Sequence, residues 1–490
     1  MLFWLSALSM KIFGVHDWAY RLPSLLFLGV ALWSTFKFTQ LYYSTQTARL
    51  ATIILASCQA FFLIAHDVRT DTMLVGWVML SIYLIAKWAE DKQPIFFFMA
   101  IVSIAGGMMT KGPIALVVPV LSIAPYWVSQ KKWAYFFKPI YIPGLILLAL
   151  LLFPMSWGLY QQYDLHPGKM INERPIKSGL EFYYWTQSFG RYTGENAYKE
   201  MGYFTFLLEN MFWSFLPWIF VFLWALFAKA FAIVKDGFFK PTNELISFFG
   251  FVLTYLVLSR SQAQLPHYIF VVFPLAAIVT ASHWEKVIWE NKSIAKSLKI
   301  FYGFHIFIFS ILVIAAAIIA WVPFGKIGWT GLLGGIALLL ILMQFFANKA
   351  VGQKWFYISV LLMIGVNVIM NTHFYPNLLK YQWGNQLVGV IEKKGWNKDK
   401  FILYKIPNSN ALHFYGQHVF PNTKDSLLLK EGDWVITDAV NDTSLRKQFA
   451  NSIQHYKSNR FHVTMLSLPF LNPALRQQEL TPFEVLELKK

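Results

Sequence analysis

Residues 50–86 read LATIILASCQAFFLIAHDVRTDTMLVGWVMLSIYLIA. Two apolar runs, 48–66 and 71–88, meet at one charged turn, His66-Asp67-Val68-Arg69-Thr70-Asp71. A helix needs about 20 apolar residues to cross roughly 30 Å of hydrocarbon, because it rises only about 1.5 Å per residue. Two such runs joined by a short polar turn predict a transmembrane hairpin. Outward from this hairpin the same pattern recurs, giving twelve stretches at approximately 18–38, 48–66, 71–88, 94–110, 113–129, 139–161, 203–229, 243–259, 266–284, 300–323, 328–347 and 355–373.

Composition agrees with a chain whose solvent is the bilayer. Of 490 residues, 57% are hydrophobic and 14% charged, against about 25% charged in soluble domains. Lys and Arg number 42 against 25 Asp and Glu, a formal charge of +17. The cations stand in short gaps between apolar runs rather than on one face, which argues against a nucleic-acid partner. The 46 Phe, 23 Tyr and 20 Trp suit aromatic belts at two membrane surfaces. The single cysteine, Cys58, excludes an intrachain disulfide and a thiolate metal site. No internal repeat, phosphate-binding loop, dinucleotide fingerprint or zinc signature is present.

Cytoplasmic loops are the ones rich in Lys and Arg. One alternate set holds Lys37 and Arg49; Lys87 and Lys92; Lys131, Lys132 and Lys138; Lys229, Lys235 and Lys240; Lys286, Lys292, Lys296 and Lys299; Lys349 and Lys354. The other set is sparse, comprising His66 to Asp71, Lys111, Arg260 to Gln264, Lys326 and a long loop over 162–202. The first set is expected inside and the second outside. The expected class is an all-α polytopic membrane domain of about twelve transmembrane helices with a small C-terminal α/β soluble domain. Residues 1–16 read as an interfacial helix, 17–375 as the multi-span domain, and 376–490 as an external soluble unit. In that unit strands are expected at 401–405, 418–420, 434–437 and 461–466.

Ionisable groups at the bilayer surface are costly unless paired or wetted, so they are the first functional candidates. In the turn 66–71, Asp67 and Asp71 are four residues apart, on one face if helical. Either carboxylate then suits a general base, while the alternative is a plain turn with Asp71 as N-cap. Lys111, in Thr110-Lys111-Gly112-Pro113, is a point-charge partner for phosphate or a snorkelling residue. The loop carries Trp185 to Asn196 with Arg191 framed by aromatics, an arrangement for a sugar face beside an anion or for an interfacial belt. Ser259 to Tyr268 forms another turn dense in donors. There Tyr268 presents its hydroxyl near the water boundary, and His267 beside it reads as an interfacial histidine rather than a ligand.

Several motifs stand in fixed order: LLFLGV after Ala19-Tyr20-Arg21-Leu22-Pro23-Ser24, AHDVRTDTMLVGW, MMTKGPIALVVP, FGRYTGE followed by FWSFLPW, and QAQLPHYIFVVFPLA. The ordered set, spanning residues 2 to about 375, resembles the GT-C class of membrane glycosyltransferases. Specifically, it resembles the bacterial branch related to aminoarabinose lipid A transferases and protein O-mannosyltransferases (glycosyltransferase family 39/83-like). The resemblance implies inverting transfer of a sugar from a polyprenyl-phosphate donor to a lipid, glycan or protein acceptor, on the periplasmic side of the bacterial inner membrane. Membrane lipids are partners and nucleic acid is not. By the same resemblance Asp71 is the catalytic carboxylate matching the family's second acidic residue, and Lys111, Arg191 and Tyr268 bind the donor phosphate. The family's main catalytic acid, in an Asp-Glu pair, and a Lys-Pro-Pro segment precede the part where this chain begins. The chain as written is therefore expected to lack the principal base and to be inactive if truncated there. No cofactor and no metal site are expected from residue spacing, and a divalent ion accompanying the donor is left open. A polytopic transporter or lipid flippase fits the composition equally. It would, however, place ionisable groups or broken helices near the midplane, whereas these clusters share one surface. A non-catalytic scaffold is a third alternative.

Overall fold

The computed structural model describes residues 1–166, 168–171, 174–195, 202–239, 244–289, 296–325, 328 and 330–490. Asn196, Lys240, Lys292 and Lys326, named above, lie outside the described residues. The chain divides into two compact units, one of residues 1–306 with 344–363 and one of 307–343 with 364–490.

The first unit opens with α1 (Leu2–Phe13), which folds back on α2 (Asp17–Tyr42). The hydroxyls of Ser6 and Ser9 donate to the carbonyls of Tyr20 and Ala19, at 3.0 and 2.6 Å. The run 48–66, expected as one helix, is two: α3 (Thr45–Ser57) and α4 (Gln59–Ala65), bent by 61°. At the break Cys58 is extended, and the freed Gln59 N–H donates to Leu216 O at 3.0 Å. A neighbouring segment thus satisfies the backbone group that the break exposes, the condition for irregular backbone in hydrocarbon. α5 (Thr70–Asp91), α6 (Pro94–Lys111), α7 (Ile114–Ser129) and α8 (Tyr141–Leu159) follow the predicted spans closely.

The long loop is not structureless. It contains a two-residue strand pair, β1 (Met170–Ile171) and β2 (Arg174–Pro175), and the short helices α9 (Gly179–Glu181) and α10 (Gly190–Thr193). The run 203–229 is broken as well, into α11 (Phe206–Ser214) and α12 (Ile219–Asp236), because Pro217 has no N–H to continue a helix. Next come α13 (Ile246–Ser259), a tight turn over Pro266–Val272 leading into α14 (Phe273–Trp284), α15 (Lys296–Phe324), α16 (Thr330–Phe346) and α17 (Val351–Ile369).

Each of the twelve apolar stretches therefore lies on helix. Among the described residues, seven helices are long and apolar enough to cross a membrane, or up to eight if the bent α3–α4 pair is one span. The chain is a multi-pass membrane protein. Burial separates the helices by role: 78% of the most apolar window of α5 is buried against 17% for α8, so α5 is a central helix and α8 turns its sides to lipid. Trp218, Trp284, Phe215, Phe222 and Phe273 form the aromatic centre of this unit, with the Trp218 and Trp284 rings edge-on at 5.6 Å.

In the second unit, α18 (Tyr375–Leu378) and α19 (Trp383–Lys394) lead into β3 (Phe401–Tyr404), α20 (Asn410–Gly416), β4 (Asn422–Thr423), β5 (Trp434–Asp438), α21 (Ala439–Gln448), β6 (Ile453–Arg460) and β7 (Thr481–Glu487). The sheet order is β4-β3-β5-β7-β6, with β3 parallel to both its neighbours and β7 antiparallel to both of its own. The expected strands at 401–405 and 434–437 are found. The one at 418–420 falls instead at 422–423, and 461–466 is not strand. The edge strand at 453–460, IQHYKSNR, is mostly polar with no residue fully buried, so it lacks the apolar alternation that marks a half-buried strand. β7 was not expected either, although it is a buried central strand. The Arg460 guanidinium clasps Asp438 through two nitrogens, at 3.0 and 2.8 Å, tying the edge of the sheet to the end of β5.

Gly250 shows how tightly the membrane helices approach. A Cβ there would lie 2.6 Å from Leu275 Cδ1 and collide with the Ser122 side chain. Gly250→Val is expected to lower stability by about 1–3 kcal/mol through overpacking, read as a lower unfolding temperature of the detergent-solubilised protein. Gly303→Ala, with open space around it, should leave that temperature unchanged.

Candidate active site

α5 begins one residue before Asp71, with Arg69 in the N-cap position. Asp71 is thus not the cap. It sits in the first turn, where free N–H groups and the helix dipole favour a carboxylate. Asp67 lies in the turn outside the helix and pairs with Arg69, so the two aspartates do not share a helical face as the spacing suggested. Asp71 is buried, at 6% exposure.

Lys111 ends α6. Gly112 at φ +88° stops the helix, a conformation in which a side chain would be strained, and Pro113 starts the next turn. This stop aims the Lys111 ammonium at Asp71 Oδ1, with which it ion-pairs. The other Asp71 oxygen faces His267 Nε2 at 3.6 Å. His267 Nδ1 lies 3.2 Å from an Arg69 guanidinium nitrogen. Guanidinium only donates, so Nδ1 accepts and the ring proton of neutral His267 stands on Nε2, toward Asp71. Asp67, Arg69, His267, Asp71 and Lys111 form one continuous chain of alternating donors and acceptors.

Arg191 reaches the same place from α10. Its loop is stapled to the turn after α13: Gln262 N–H donates to Arg191 O at 3.0 Å, and the Tyr192 hydroxyl donates to Val257 O at 2.9 Å. On the α6 side the Tyr183 hydroxyl donates to Met108 O at 2.7 Å. Burial pushes the phenols of Tyr183 and Tyr192 above the usual tyrosine value, so both stay protonated donors. The Arg191 guanidinium donates to the Tyr268 hydroxyl and, at 3.3 Å, to Gln187 Oε1. Its buried Nε has no hydrogen-bond partner among the described residues. The Tyr268 ring lies between two cations, with Lys111 Nζ at 4.4 Å and the Arg191 guanidinium carbon at 5.1 Å from its centre.

Asp71, Lys111, Arg191 and Tyr268 all line one cavity of about 410 Å³, within the range of small-molecule sites. Its walls are apolar, from Leu74, Val117, Leu258 and Val271, and its rim carries Tyr183, Gln187, Ser188 and Tyr192. Asp71 and Lys111 neutralise each other, whereas both hydrogen-bond partners of Arg191 are neutral. The cavity therefore presents a net positive charge in an apolar surround, the condition for holding an anion. Among the described residues no three His, Cys, Asp or Glu side chains gather as a metal site.

Sequence reading undervalued His267 and did not single out Gln187, Ser188, Tyr183 and Tyr192. Gln187 had a usable signal, since it lies four residues before Arg191 at helical spacing. His267 had none, because its partners lie 196 and 198 positions away.

Residues 1–157 match the family profile described as dolichyl-phosphate-mannose-protein mannosyltransferase. The chain is 24% identical over 291 residues to an undecaprenyl phosphate-alpha-4-amino-4-deoxy-L-arabinose arabinosyl transferase of Erwinia tasmaniensis, covering 58% of this chain and 49% of that one. It is 26% identical over 340 residues to the protein of the same name from Yersinia enterocolitica, covering 67% and 55%. The chain spans about half the length of these curated relatives. Among solved structures it superimposes on ArnT from Cupriavidus metallidurans bound to undecaprenyl phosphate with a TM-score of 0.71 at 14% identity, over 99% of this chain and 87% of that one. The apo form of the same protein gives 0.69 over 99% and 86%. The comparisons return proteins of the kind that the ordered motifs resemble, and the fold is that of ArnT.

A double-mutant cycle measures the central ion pair. Removing one partner of a buried pair costs about 3–5 kcal/mol, because the other charge is left uncompensated. Lys111→Met alone should therefore destabilise the protein strongly. Lys111→Met combined with Asp71→Asn should be more stable than additivity predicts, with the coupling read from thermal unfolding of the four purified proteins.

Proposed function

We propose that this protein transfers a sugar from a polyprenyl-phosphate-linked donor to a lipid, glycan or protein acceptor, at the periplasmic face of a bacterial inner membrane. The observation that carries the reading is Arg191. A guanidinium with neutral partners and a free donor in an apolar cavity between membrane helices suits a phosphate that carries a long hydrocarbon tail. That similar proteins are named for undecaprenyl-phosphate-linked aminoarabinose, and that a solved relative binds undecaprenyl phosphate, supports the donor class. Asp71, Lys111 and Tyr268 stand at short turns poor in Lys and Arg, which supports the periplasmic side.

In the proposed reaction an acceptor oxygen attacks the anomeric carbon from the face opposite the phosphate, and the bond from that carbon to the phosphate oxygen breaks. The electron pair leaves with the polyprenyl phosphate. Arg191, Lys111 and the Tyr268 hydroxyl stand where negative charge grows on the departing phosphate, and preorganised donors act most strongly there. Asp71 is the carboxylate that takes the proton from the acceptor hydroxyl as the new bond forms. Its proximity to Lys111 lets one ammonium serve both carboxylate and phosphate. His267, with its ring proton toward Asp71, fixes the carboxylate's orientation.

Two measurements separate donor binding from chemistry. Arg191→Ala should weaken binding of undecaprenyl phosphate to the purified protein by roughly tenfold or more, the loss of one charge-assisted contact, with Arg191→Lys retaining part of it. Binding equal to wild type in Arg191→Ala would remove the phosphate assignment. In membranes supplied with donor and acceptor, Asp71→Asn should lower transfer by about 10²–10³ without weakening undecaprenyl phosphate binding, because Lys111 loses the carboxylate that competes with the phosphate for it.

A further inference from the structure

The segment 461–475, FHVTMLSLPFLNPAL, contains no Asp, Glu, Lys or Arg, although the charged residues of this chain are concentrated in its loops and C-terminal part. It connects β6 to β7 in the second unit, and its inner face is fastened to the ends of membrane helices. The Phe461 and Phe470 rings stack at 3.7 Å, and Phe470 packs edge-on to Tyr381 at 5.2 Å. Phe461 N–H donates to Tyr381 O at 3.1 Å. Arg476, the next residue, donates to Phe470 O at 3.0 Å, to the Tyr381 hydroxyl at 3.2 Å and to Pro323 O in the last turn of α15. Phe470 belongs to the same buried cluster as Ala320 and Phe374, where α15 and the π-turn after α17 end.

The outer face has no cover among the described residues. Met465 is 72% and Leu468 83% exposed, with Leu466 and Leu475 also exposed. Ser467 caps the turn between them by accepting from Phe470 N–H at 3.3 Å, so the apolar side chains are presented from an ordered turn. Trp321, 62% exposed in the last turn of α15, marks the depth at which Trp side chains occupy a membrane interface. The Arg476 hydrogen bond to Pro323 O ties the end of the segment to this last turn of α15.

We propose that residues 461–475 form a membrane-seated loop whose Met465, Leu466 and Leu468 side chains insert into the boundary between headgroups and acyl chains. The occupant of the uncovered face is bilayer lipid. The continuity with the end of α15, the absence of charge over the whole segment and the neighbouring Trp321 argue for lipid over water-borne protein. Insertion would anchor the sheet of the second unit at the bilayer surface independently of any catalytic role.

Cys58 is the sole native cysteine and is buried, so single-site labelling needs only one added thiol. Met465→Cys, Leu468→Cys and Leu475→Cys report on the loop, and Lys424→Cys, exposed near β4, serves as the aqueous control. Each full chain is placed in phosphatidylcholine–phosphatidylglycerol nanodiscs and labelled with an environment-sensitive fluorophore. The labels at 465 and 468 should emit to the blue of the label at 424. They should also be quenched roughly threefold or more more strongly by lipid carrying a nitroxide high on its acyl chain than by aqueous iodide, with 475 intermediate. Iodide quenching of 465 and 468 equal to that of 424 would overturn the proposal. Shielding from both quenchers would overturn it too, by showing protein rather than lipid on this face, with energy transfer between labels identifying a second copy of the chain.

Discussion

Moving a charge out of water is the dominant cost in this molecule, and the position of every ionisable group in the membrane unit answers to it. Asp71 lies buried at the start of a central span, and no soluble surface is available to it. It is tolerated because Lys111 neutralises it, because the first turn of α5 offers free N–H groups, and because His267 turns a ring proton toward it. At the opposite end of the helices the same rule gives a different solution. Glu244 is fully buried among Lys229, Tyr43 and Ser247, with Tyr43 donating at 3.0 Å and Ser247 Oγ at 2.6 Å. That network is closed: its cation and carboxylate cancel and its hydroxyls are used. The cluster around Arg191 is open by comparison, since a guanidinium remains after Asp71 and Lys111 have cancelled. The two polar clusters thus differ in what is left over once the pairing is done.

The loop that carries Arg191 shows how a connection outside the spans becomes a precise part of a site. A few backbone and hydroxyl contacts, from Gln262 and to Val257 and Met108, fix α10 and its flanks over the end of the helices. Gly194 closes α10 with φ +79°, allowing the chain to leave at once. These short, local devices place a guanidinium within bonding distance of a tyrosine 77 positions later. The cavity is lined by residues of α5, α6 and α7 and completed by residues of this loop.

The breaks at Cys58 and at Pro217 meet each other: the Gln59 N–H freed at the first is taken by the Leu216 carbonyl at the second, and Trp218 donates to Ser57 at 3.0 Å. Two irregularities that would each be costly in hydrocarbon are paired into one, and the bent α3–α4 segment then delivers its end to the charged turn 66–71. The geometry of Asp67, Arg69 and Asp71 therefore depends on a junction near the membrane interior.

Hydropathy is a local property, and so the helices at the twelve apolar stretches, the bias of the cations toward alternate loops, and the positions of Asp71, Lys111 and Tyr268 at the ends of spans and of Arg191 in the long loop were all legible from the residues alone. It also held the ordered motifs by which the GT-C fold is recognised. Pairing is not local. That Asp71 meets Lys111, that Arg191 is left with neutral partners, and that His267 carries its proton toward Asp71 depend on contacts between residues 40 to 198 positions apart. The same holds for the split helices, whose exposed backbone groups find partners only across the bundle, and for β6, whose polar side chains hide a strand that the sheet alone creates. These emerge from the folded arrangement alone, because the energy of a buried charge or an unpaired N–H is set by whatever the fold brings beside it.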